Sequence, residues 1–81
     1  MKSENLKRAV SLSRLLEMKQ VAISDTTIGN MRAEIIGIIS GYFAFEKIPD
    51  NIEQKIAELV EIVTAKVNEQ IKEIEKEIET L

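Results

Sequence analysis

The residue types available for chemistry in this chain are few. Among its 81 residues there is no cysteine and no histidine. That removes thiolate nucleophiles, disulfides, Cys/His zinc sites and imidazole acid–base work together. The 14 Asp and Glu residues recur at regular helical spacing among lysines. No pair has the apolar neighbours that would raise a carboxyl into the acid–base range. Arg32 and Glu34, beside the longest apolar run, read as an ion pair at its edge. No Gly-rich phosphate loop and no calcium-loop alternation of acids is present. The expectation is a chain that binds rather than catalyses, with no cofactor, metal or small-molecule substrate.

One local pattern has a mechanism attached. Ser24-Asp25-Thr26-Thr27-Ile28-Gly29-Asn30-Met31 resembles the turn and recognition helix of a helix-turn-helix unit. There a Ser caps the second helix, and apolar residues such as Ile28 and Met31 seat it on the first. The resemblance implies a dimeric DNA-binding regulator in which Thr26 and Asn30 face base edges and Arg14, Lys19 and Arg32 approach phosphates. Three departures weigh against it. Met18 stands where the supporting helix usually has a small residue, Ala22 where the turn usually has Gly, and Asp25 would repel phosphate. DNA affinity rests on many Lys/Arg contacts, and only three lie near this unit.

The elements that must position these residues read as three helices. The first starts near Ser3 and runs to about Lys19, with Leu6, Ala9, Leu12 and Leu16 on one face. A short break at residues 20–23 follows, then a second helix over about Thr26 to Phe45. Its middle, Ile35-Ile36-Gly37-Ile38-Ile39, is apolar on every side, which predicts the most buried element. Ala33, Gly37 and Gly41 recur every four residues on it, a stripe of small side chains that suits close helix packing. Each Gly there costs about 1 kcal/mol of helix propensity.

Pro49 disfavours helix at Ile48, and Asp50 with Glu53 fits a capping box that opens the third helix. That helix carries Ile52, Ile56, Leu59, Val63, Val67, Ile71, Ile74, Ile78 and Leu81 at steps of three and four. The fold class is all-α: two shorter helices packed on the first half of a long C-terminal amphipathic helix. Residues 1–81 form a single domain with a helical head at 3–46 and an oligomerisation helix at 49–81. The seam formed by Val63, Val67, Ile71, Ile74, Ile78 and Leu81 has no cover from the remaining chain in this reading. It would be buried in coiled-coil-like self-association, as a homodimer, or against a protein partner.

Charge and composition agree with this. Residues 1–48 hold seven Lys/Arg against five acids, and residues 49–81 hold four Lys against nine acids. A mildly basic head and an acidic rod suit head-to-tail contact between subunits, with the acids near the C-terminus meeting Lys2, Lys7 and Arg8 of a neighbour or a basic surface of another protein. Only Tyr42, Phe43 and Phe45 are aromatic, so the core must be aliphatic. The uncharged run Ile35 to Phe45 is far shorter than the roughly 20 residues of a bilayer span. The charged N-terminal stretch Met1-Lys2-Ser3-Glu4-Asn5 shows no signal-peptide apolar region. The chain is expected to be soluble and cytoplasmic, and its Ile-, Lys- and Glu-heavy usage is common in AT-rich bacterial, phage and plasmid genes. The first functional expectation is an adaptor, inhibitor or regulator that binds another macromolecule, ahead of the helix-turn-helix reading.

Overall fold

A computed structural model describes residues 3–81; Met1 and Lys2, the start of the charged N-terminal stretch, lie outside them. The described chain forms three helices and no strand: α1 (Ser3–Ala22), α2 (Asp25–Tyr42) and α3 (Asp50–Glu79). Their 20, 18 and 30 residues correspond to about 30, 27 and 45 Å of helix. The body measures 59 × 17 × 16 Å. None of the three helices fits across its width, so all run along its length. End to end, α1 and α2 span about 57 Å, which accounts for the long axis.

Both short helices run antiparallel to α3. Arg8 meets Glu77 and Lys19 meets Gln70, so α1 ascends where α3 descends. Ile28 lies by Thr64, and Ile36 by Ile56 and Glu53, which gives α2 the same sense. The protein is a long helical hairpin with one arm broken in two. The fold class is as expected, with both shorter helices packed on the long α3; what differs is where along α3 they pack. Only α2 packs on the first half of α3, while α1 covers the second half.

The break in that arm is narrower than the sequence suggests. Gln20, Val21 and Ala22 stay helical because no Gly or Pro stops them, leaving only Ile23 and Ser24 between the helices. Ser24 then caps α2: its Oγ accepts from the Thr27 amide at 3.4 Å and lies 2.9 Å from Thr27 Oγ1.

The turn of the hairpin is built without glycine in the left-handed region. After Tyr42, the Phe45 amide donates to Ser40 O at 2.9 Å, and Ala44 and Phe45 take φ of 53° and 61°. That conformation costs roughly 1–2 kcal/mol per non-Gly residue. It also ends α2 at Tyr42 rather than at Phe45. The predicted capping box at Asp50 does not form. Pro49 occupies the cap position with no side-chain cap, and its carbonyl accepts from Ile52 and Glu53. Asp50 lies within the helix and pairs instead with Lys47 at 3.3 Å.

The core consists of Leu12, Ile48, Ile56, Val60, Ile71 and Ile74. Ile48 closes the turn end. Val60, 3% exposed, takes the core position and Leu59, 50% exposed, does not. The buried line on α3 continues through Thr64, whose hydroxyl donates to Val60 O at 2.7 Å and so needs no partner on another helix. The expectation for α2 is overturned, since none of its residues is buried. A helix that is apolar all round buries little when it has a neighbour on one side only.

Two outcomes follow for stability, measured by urea unfolding of the helical signal. Ile74→Ala should cost about 2–4 kcal/mol, because it empties a closed site between α1 and α3. Ala44→Gly should stabilise by about 0.5–1 kcal/mol, because it relieves a left-handed alanine at some cost in chain entropy.

Candidate functional site

The predicted interface seam is largely occupied within the chain. Ile71 and Ile74 are 6% and 7% exposed beneath α1, and Val67, Ile78 and Leu81 are half-buried. Val63 alone in that set is exposed, at 40%. The seam lacked cover in the sequence reading because α1 was assigned to the other half of α3. One of the acids at the C-terminal end, Glu77, also finds a partner within the chain. Arg8 Nε donates to Glu77 Oε1 at 3.1 Å and its guanidinium forms an ion pair with the same carboxylate. Lys19 Nζ donates to Gln70 Oε1 at 2.6 Å.

The small-residue stripe does not serve close packing within the chain. A Cβ added at Gly37 or Gly41 would meet nothing within 4 Å, and Ala33 is exposed. By helical register this stripe lies on the outer side of α2, opposite the flank that meets α3. Thr26 and Asn30 share that outer side and are also exposed.

The candidate DNA contacts are not brought onto one surface. Arg14 sits on the outer side of α1, whereas Lys19 is turned to Gln70 and Arg32 lines the groove between α2 and α3 with Glu61 and Glu53. The crossing of two helices at about 90–120° that defines a helix-turn-helix is absent, since α1 and α2 follow one another along the rod.

Among the described residues there is no buried polar or charged side chain, and no group of three acids disposed around a metal position. The grooves beside α3 are shallow and open to solvent. No helix among the described residues is long and apolar enough to cross a membrane.

What the structure does assemble is a band of exposed aliphatic side chains. Ile38 is 68% exposed, Ile62 66%, Leu59 50% and Met18 69%. The signal was present in the sequence: Met31, Ile35, Ile38 and Tyr42 follow steps of 4, 3 and 4, a second stripe beside the one that meets α3. It is masked there by the apolar residues that surround it on every side of the helix.

Comparison with known protein families, with curated proteins and with solved structures finds no match. The Arg8–Glu77 pair contributes little to the stability of the fold. With side chains 56% and 44% exposed, Arg8→Ala should destabilise by less than about 1 kcal/mol. The loss should shrink further as salt is raised, a trend that denaturation at two ionic strengths reads directly.

Proposed function

We propose that this chain is a non-enzymatic helical interaction protein that self-associates as a homodimer. In this reading it works in the cytoplasm as an adaptor, inhibitor or regulator, presenting helix faces to a protein partner. The observation that carries the proposal is the exposed aliphatic surface described above, on a body too thin to bury it. A side chain such as Ile or Leu gains about 1.5–3 kcal/mol on full burial, and contiguous patches of this kind mark interaction sites.

A helix-turn-helix DNA-binding regulator is the alternative reading, and the Ser24 cap at the start of α2 is the feature that favours it. The end-to-end path of α1 and α2, the scatter of Arg14, Lys19 and Arg32, and Asp25 at the helix start all weigh against it. The net charge of −3 weighs the same way.

Light scattering on the full chain tests the first reading. At about micromolar concentration the mass should be twice that of one chain; a single-chain mass would refute self-association. A mobility-shift assay on random and selected duplexes separates the two readings. Binding should be no tighter than the nonspecific range of about 10⁻⁴–10⁻⁶ M. A salt-steep, sequence-selective nanomolar complex, weakened by Arg32→Ala and relaxed in sequence preference by Asn30→Ala, would establish the regulator instead.

A further inference from the structure

We infer that the homodimer forms through one side of the hairpin, the apolar flank shared by α2 and the first half of α3, laid against the same flank of a second copy. The inference rests on the self-association proposed above and specifies its surface.

The geometry follows from the antiparallel pairing. Arg32 and Ile36 of α2 share one groove with Glu53 and Ala57 of α3, which defines one side of the hairpin. By helical register Ile38 and Tyr42 lie on the other flank of α2, next to the half-buried Met31 and Ile35. On α3, Leu59, Ile62 and Val63 lie on the flank away from Ala57. The two opposite flanks therefore face the same way and form one band. Leu15 and Met18 of α1 fall on the same side and extend it.

The alternatives fit less well. The groove side is interrupted by Arg32, Glu53 and Glu61, and the outer side of α2 carries Gly37 and Gly41 with no apolar bulk. Along the second half of α3 the band's own flank turns charged, with Glu73 and Glu77. Glu34, Lys55 and Lys66 are interspersed on the α2–α3 flank by the same register, but it alone carries large exposed aliphatic side chains, Ile38, Leu59 and Ile62, on two neighbouring helices.

The exposed area identifies a second copy as the occupant. A compact chain of this mass, 9.2 kDa, exposes about 4,900 Å². This one exposes 6356 Å², so the excess is about 1,400 Å² per chain. A pair burying that excess on both sides would cover about 2,800 Å², within the 2,000–5,000 Å² of obligate homodimers. Joining two hairpins turns a two-helix layer into a four-helix body, the smallest arrangement in which such flanks are enclosed. The contact is isologous and closes on itself, as a two-fold dimer requires.

Ile62→Glu and Ile38→Glu place a charge in the band, and Val10→Glu places one on α1 outside it; all three positions are exposed in the single chain. Light scattering should give a dimer for the unaltered chain and for Val10→Glu, and a single-chain mass for the two band variants. A thiol probe reads the same surface without adding charge, since the chain has no cysteine of its own. The thiol of Ile62→Cys should be alkylated about tenfold or more slowly at concentrations well above the dissociation constant than below it. The thiol of Val10→Cys should react equally fast at both. If a band variant loses its helical signal on dissociating, this alkylation contrast still decides the question.

A dimer that survives Ile62→Glu and Ile38→Glu, or an Ile62→Cys thiol that reacts at one rate throughout, would overturn the face while leaving self-association intact. A single-chain mass for the unaltered protein would instead overturn self-association itself.

Discussion

Everything in this fold depends on one apolar stripe along α3. Among the described residues, four of the six buried side chains, Ile56, Val60, Ile71 and Ile74, belong to it, and the two short helices have little else to pack on. An isolated helix of 18 or 20 residues is marginal in water and owes most of its stability in proteins to burying one face. Here that face can be buried in only one direction. A body 17 Å wide holds two helices abreast, so each helix has one neighbour and keeps its remaining flanks in solvent. The core is consequently a line rather than a volume.

The two halves of that line are finished differently. Beside α1 the flanks of α3 are polar, and the contact is bordered by Arg8 with Glu77 and Lys19 with Gln70. The exposed Arg8–Glu77 pair contributes little energy, but the stripe beneath it is no wider than the helix lying on it. Beside α2 the apolar sector of α3 widens through Leu59, Ile62 and Val63, and α2 brings its own second stripe. The half that is wider in hydrophobic residues is thus the half left uncovered. Placement of charge along α3, more than its helical propensity, decides which part of the rod is complete within one chain.

This contrast also explains what could be read from the sequence. Helix number, the long third helix and the division at Pro49 were legible because spacing and a single proline act locally. The partner of each helix was not legible, because Leu59, Val60 and Val63 are all apolar and helical spacing admits more than one buried line. The choice of Val60 over Leu59 is made by the direction of α2. With α1 on the first half of α3, the Val63–Leu81 seam would be bare; with α1 on the second half, it is largely covered. The all-round apolar character of α2 is compatible with deep burial or with two apolar flanks, and the structure has α3 covering one of them. Ala44 and Phe45 gave no warning of a left-handed turn, since neither residue type favours it.

In the proposed dimer, helix α2 is where folding and association would become one process. It contains Gly29, Gly37 and Gly41, each costing about 1 kcal/mol relative to Ala in a helix interior, and it ends in two left-handed residues that add strain. It buries no residue in the single chain, so nothing on its own side of the hairpin offsets those terms except half-buried contacts to α3. It should be the first helix to open locally, as elements with few buried apolar contacts do. Covering its second flank would stabilise α2 directly and α3 through it, while α1 would gain little. The free energy of that cover would enter by mass action, so the proposed dimer would make the stability of this half of the rod a function of concentration and leave the α1 half nearly indifferent to it.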